Sequence, residues 1–210
     1  MQKEISPEQA FMRHLRRRSE PADLARMRRA LGDPGAEVIP VVEGFLARIQ
    51  GDDPRSGQSP GGPIHQGECE DRWERLVYYL VAGLWATTVS SSELEHFRQQ
   101  PEEEPAQAEE NTAEAGYRRT LGHAVAELYL ARNQSQSIEQ RFIALLDADE
   151  EQLPYRIRQM VQLLKGGEGI SIYWPELLRD LLAWKREHRP VQQKWARAFY
   201  RTVSKEGGQE

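Results

Sequence analysis

Cysteine is nearly missing from this 210-residue chain. Cys69 stands alone, which excludes an internal disulfide and any zinc cage built from several thiolates. Long apolar runs are missing too. No stretch approaches the roughly 20 residues a membrane helix needs, and no charged-apolar-small signal opens the chain. The protein is therefore expected to be soluble, unexported and cytoplasmic. Val and Ile rarely cluster, which argues against a large sheet. Hydrophobic residues make up 39% and charged residues 29%, a wet balance but not low enough for disorder. The length leaves room for one ordinary domain or two small ones.

The net charge of −5 would by itself argue against nucleic acid as a partner. Its distribution argues the other way. Between Arg13 and Arg29 seven arginines face only Glu20 and Asp23, a local balance of +5. Between Trp184 and Lys205 seven basic residues face Glu187 alone, giving +6. Between Glu93 and Glu114 eight glutamates face Arg98, giving −7. Acid is concentrated in the middle and both ends are basic.

Apolar residues recur at spacings of three and four along most of the chain, the period of amphipathic helices. Ser6-Pro7-Glu8-Gln9 starts the first, with Ser6 as cap, Pro7 in the first turn and Gln9 closing a capping box. Phe11, Met12 and Leu15 form its apolar side. A second helix carries Leu24, Met27 and Leu31. Pro40 opens a third, with Val41, Val42, Phe45, Leu46 and Ile49. The clearest runs from Trp73 through Leu76, Val77, Leu80, Val81 and Leu84 to Trp85. Residues 51–67, rich in Gly, Pro and Ser, read as a loop.

From residue 90 to 113 no apolar stripe survives, and Pro101 and Pro105 bracket three glutamates. This stretch reads as a solvated linker, or as an acidic segment that docks on or shields a basic surface. Helical periodicity then resumes through Tyr117, Leu121, Val125 and Leu128. It continues from Ser137, whose capping box closes at Gln140, through Phe142, Leu145 and Leu146. Further helices carry Ile157, Met160, Val161 and Leu164, then Leu177 to Trp184 after Pro175, then Val191, Trp195, Phe199 and Val203 after Pro190. The expectation is all-α, about nine helices in two small bundles. The domains are an N-terminal bundle at 1–95, an acidic linker at 96–113 and a C-terminal bundle at 114–210.

Catalytic patterns are mostly lacking. His14, His65, His96, His123 and His188 stand alone, without the HExxH spacing of a zinc site. Gly166-Gly167-Glu168-Gly169 lacks the Lys-Ser/Thr of a phosphate-binding loop and reads as a helix stop. Glu176 and Asp180, one turn apart, could share a metal but read first as solvated surface carboxylates. Neither catalytic residues nor metal ligands nor a cofactor are expected.

The basic clusters say more. At about 100° per helical residue, Lys194, Arg197 and Arg201 fall within about 60° of one another, away from the apolar side. Arg26 and Arg29 likewise face away from Leu24, Met27 and Leu31. Arg118, Arg119, Arg156 and Arg158 add guanidiniums to the second bundle. Arginine outnumbers lysine in these clusters, which suits forked donation to phosphate oxygens. Because the aromatic residues fall mostly in core positions, backbone binding without base stacking fits best.

The run Ile172-Tyr173-Trp174-Pro175-Glu176-Leu177-Leu178-Arg179-Asp180-Leu181-Leu182-Ala183-Trp184, followed by Val191-Gln192-Gln193-Lys194-Trp195-Ala196-Arg197-Ala198-Phe199-Tyr200, strongly resembles the small subunit of type I-E Cascade, the CasB family. Met27-Arg28-Arg29-Ala30-Leu31-Gly32 is similar to that family's N-terminal helix. Ser137–Phe142 and Arg156–Val161 look like its central segments. Tyr173 departs from the pattern, standing where an acidic residue is expected before the Trp.

The resemblance implies an all-helical, two-bundle, non-enzymatic subunit of an RNA-guided surveillance complex in antiviral defence. Its implied partners are the crRNA, both strands of the target DNA, the backbone and large subunits of Cascade, and a second copy of itself, with no membrane. Its implied role is to stabilise the guide–target hybrid and the displaced strand while base pairing supplies specificity. Family-like segments and local charge together select Arg28, Arg29, Arg118, Arg119, Arg141, Arg156 and Arg158 as nucleic-acid-binding residues. A helical scaffold that touches only protein is the competing expectation.

Overall fold

The computed structural model describes residues 5–32, 37–49, 67–99 and 119–206, with backbone only at 67–71. Among the described residues it holds ten helices and no strand. They are α1 (Pro7–Arg18), α2 (Pro21–Ala30), α3 (Pro40–Ile49), α4 (Gly67–Thr88), α5 (Ser91–Gln99), α6 (Leu121–Ala131), α7 (Gln136–Leu146), α8 (Leu153–Lys165), α9 (Trp174–Leu182) and α10 (Pro190–Glu206). The expected all-α class holds. Proline is the first residue of α1, α2, α3 and α10, where its missing N–H is not needed. None of the described helices is long and apolar enough to cross a membrane.

The chain divides into two units, Met1–Gln99 and Gln100–Glu210. In the first, α4 is buried on every side from Val77 to Ala86, as expected of a helix apolar all round. Phe11 of α1, Phe45 of α3 and Tyr78 of α4 pack with ring centroids 4.7 to 6.0 Å apart. Helix α2 lies close against α4 at Gly83, where a Cβ would come within 2.9 Å of the Met27 carbonyl oxygen. The expected cap of α1 is present: the Gln9 N–H donates to Ser6 Oγ and the Ser6 N–H to Gln9 Oε1.

Helix α5 departs from the sequence expectation, in which residues 90–99 belonged to a patternless stretch. One buried anchor, Leu94, holds this short helix, so no stripe was there to find. Its start is nonetheless encoded. The Ser90 N–H donates to Glu93 Oε2 (2.7 Å) and the Glu93 N–H to Ser90 Oγ (3.2 Å), a reciprocal capping box. Residues 100–113 of the acidic stretch and 51–66 of the Gly/Pro/Ser stretch lie outside the described residues.

In the second unit, α6 and α10 run against each other at Gly122, where a Cβ would stand 2.9 Å from the Trp195 carbonyl carbon. Only glycine permits this approach. Helix α7 starts earlier than its sequence suggests, with Ser135 rather than Ser137 at the N-cap. Phe199 of α10 meets Phe142 of α7 at 4.9 Å and Tyr129 of α6 at 5.4 Å. Trp184 and Trp195 pack at 5.1 Å. The three tryptophans expected in the core, Trp73, Trp184 and Trp195, are all buried. His123 is buried too, and caps α6 by accepting at Nδ1 from the Thr120 N–H (3.0 Å). Burial, then the nearby Arg119 charge, lowers its pKa, which keeps Nδ1 free to accept.

Candidate nucleic-acid interface

The two arginines selected in the first unit already have partners. Arg28 reaches from α2 to the end of α4, donating from Nε to the Ala86 carbonyl and from Nη2 to the Val89 carbonyl, both at 2.7 Å. Helix α4 has no basic residue in its own last turn, so Arg28 supplies the positive charge and donors that a helix C-terminus lacks. Arg28→Ala should therefore destabilise the first unit by about 2 kcal/mol, seen as a lower denaturation midpoint; an unchanged midpoint would remove the capping role. Arg29 pairs at the surface with Glu37 (2.8 Å).

In the second unit, Arg119 pairs with Glu127 of α6, and Arg118 lies outside the described residues. Arg141 on α7 and Arg158 on α8 have no ion pair or side-chain hydrogen bond among the described residues. Arg156 sits 5.8 Å from the Tyr155 ring, with its Nε buried and unbonded. Helices α7 and α8 are joined by residues 147–152 and pack together. They therefore present Arg141, Arg156 and Arg158 from one helical pair. None of these three guanidiniums is in an ion pair among the described residues.

The C-terminal cluster resolves differently from its helical-wheel reading. Lys194 does not join Arg197 and Arg201 in solvent. Its ammonium binds Glu176 Oε1 at 3.0 Å and also contacts Asp180. Glu176 and Asp180, expected as solvated carboxylates, are buried at 4% and 3% exposure. Arg179 Nη1 donates to Glu176 Oε2 (2.7 Å), and Trp195 Nε1 donates to Asp180 Oδ2 (2.6 Å). Burial pushes the Asp180 carboxyl above its ordinary value, against the opposing pull of Lys194 and Trp195. The place between the two carboxylates is filled by an ammonium, so they serve packing. Arg197 bonds Gln193 (3.2 Å), and Arg201 is exposed without a partner among the described residues. Tyr173, the departure from the expected pattern, makes no side-chain bond as N-cap of α9.

Three features escaped the sequence reading. Arg132 donates to the Gly166 carbonyl at the end of α8 (3.2 Å), and Arg189 to the Leu146 carbonyl at the end of α7. With Arg28 they make a recurrent device, an arginine from one element closing the carbonyl end of another. These three arginines are thus structural. Tyr155 is the third, an aromatic 59% exposed. It stands at the first turn of α8, with the Arg156 guanidinium 5.8 Å over its ring.

The fold and its surface define a class: an all-helical protein in which, among the described residues, Arg141 and Arg158 stand without an ion pair. The chain belongs to the CRISPR-associated Cse2 family, whose model matches residues 23–200. It is 32% identical over 203 residues to the CRISPR-associated protein Cse2 of Thermus thermophilus, covering 93% of this chain and 91% of that one. The M. ruber CasB crystal structure is 66% identical with a TM-score of 0.75, over 97% of this chain and 98% of that one. A chain of a CRISPR RNA-guided surveillance complex, 20% identical with a TM-score of 0.63, shares the fold over 97% and 96% of the two chains.

Proposed function

We propose that the chain is a non-catalytic subunit of an RNA-guided CRISPR surveillance complex, Cascade, acting in the cytoplasm. In this reading it binds nucleic-acid backbone and stabilises both the crRNA–target DNA hybrid and the displaced strand. Its protein partners are the backbone and large subunits and a second copy of itself. The observation that carries the nucleic-acid part is the set on α7 and α8: Arg141 and Arg158 unpartnered among the described residues, beside Arg156. Unpaired guanidiniums are free to displace phosphate counterions, and such contacts carry no base information. Arg28, Arg29, Arg118 and Arg119 remain part of the proposal, with Arg28 acting chiefly through the end of α4.

The pairing of Arg28, Arg29 and Lys194 within the chain favours a second reading, a scaffold that touches only protein. Coexpression with the genes encoded beside it separates the two. Copurification with a guide RNA and the other subunits, together with RNA crosslinking to the α7–α8 pair, supports the proposal. Copurification with protein alone, after nuclease-free isolation, favours the scaffold.

A further inference from the structure

An open groove of about 360 Å³ lies where the end of α6, the start of α7 and the last turns of α8 meet. Leu128, Ile138 and Leu163 give it an apolar floor, and Ser135, Ser137, Arg132 and Arg141 line the rest. Among the described residues no carboxylate lines it. Ser137 and Arg141 are four residues apart and so share one face of α7. Arg141 has no partner among the described residues, and Arg132 uses one nitrogen on Gly166 and leaves its other donors over. The Ser135 side chain makes no capping bond at the start of α7, so its hydroxyl is available to a ligand.

We infer that this groove seats one unpaired nucleotide of a single strand: a base on the aliphatic floor and the adjoining phosphate between Arg132 and Arg141. The inference rests on the nucleic-acid reading and refines it, since phosphate contacts alone need no apolar floor. A floor of three aliphatic side chains beside hydroxyls and two guanidiniums matches the two halves of a nucleotide, one flat and weakly polar, the other anionic. It is poorly matched to duplex DNA, whose bases are stacked and out of reach. Seating a base here would fix the register of a bound strand without selecting its sequence, because nothing in the groove reads a base edge through a fixed donor–acceptor pair.

The test uses the full chain at low salt with two probes, a thymidine decamer and a decamer of abasic residues carrying the same phosphates. The expected result is binding of the thymidine decamer at least tenfold tighter than the abasic one, of the order that base contacts contribute at single-strand sites. The Ile138 and Leu163 methyl resonances should shift with thymidine and stay in place with the abasic decamer. Ser137→Leu, at an exposed position, should fill the groove and abolish the preference for thymidine. Arg141→Gln should weaken both decamers. Equal affinity for the two probes with unmoved methyls would overturn the nucleotide seat and leave phosphate tracking intact. Binding of neither probe would overturn both readings.

Discussion

Trp195→Ala is expected to cost the second unit about 3–5 kcal/mol, the range for truncating a fully buried tryptophan. Trp195 has 0% exposure and rests on Trp184 with centroids 5.1 Å apart. Its backbone is also the surface on which Gly122 docks α6. The indole N–H is one of the donors to Asp180, so truncation also strips a hydrogen bond from a buried carboxylate, which places the effect toward the upper end. Denaturant unfolding followed by far-ultraviolet dichroism measures it. Unchanged stability with abolished nucleic-acid binding would instead make Trp195 a stacking platform.

Lys194→Met is expected to cost about 3 kcal/mol at neutral pH, because it leaves two buried carboxylates without their shared cation. Lys194 keeps 39% side-chain exposure, and Arg179 still holds Glu176, so the effect falls at the low end for breaking a buried pair. The sign of its pH dependence follows from the same geometry. Burial already favours protonated Asp180, and removing the ammonium favours it further. Acidification therefore neutralises the orphaned Asp180 carboxylate in the variant, and the deficit relative to the parent should shrink as pH falls from 8 to 5. Arg197→Ala, an exposed neighbour on the same helix, should change stability by no more than about 0.5 kcal/mol. A pH-independent deficit in Lys194→Met, or one no larger than that of Arg197→Ala, would contradict the buried network.

Lys194 also shows where a sequence stops being informative. A helical wheel places it beside Arg197 and Arg201, and that angular relation is correct. What the wheel cannot supply is the neighbouring helix, and α9 meets that flank of α10 with Glu176 and Asp180. Local signals survived well. The capping box at Ser6, the opening prolines and the three- and four-residue spacing around Trp73 and Trp195 all depend on nearby residues, and each is present in the fold. Trp184, expected in a helix, instead lies beyond the end of α9 at Leu182. Helix α5 was legible only in its Ser90–Glu93 box, since a single buried leucine makes no stripe. Arg28, Arg132 and Arg189 were unreadable as caps because each closes a helix distant in sequence. Arg28 lies 58 and 61 residues from its acceptors. The groove between α6, α7 and α8 was invisible for the same reason, being assembled from three helices.

The nucleic-acid role is most directly tested by R-loop formation with reconstituted complex in which Arg141, Arg156 and Arg158 are all alanine. Helices α7 and α8 keep their apolar packing in this variant, so assembly should be intact. The predicted result is a shortened R-loop lifetime, equal for unrelated target sequences. The slope of log K against log salt should also flatten by about 0.7 for each single-strand phosphate left without its arginine. Parental lifetime and salt slope in a fully assembled variant complex would contradict the nucleic-acid role and leave the chain as a protein scaffold.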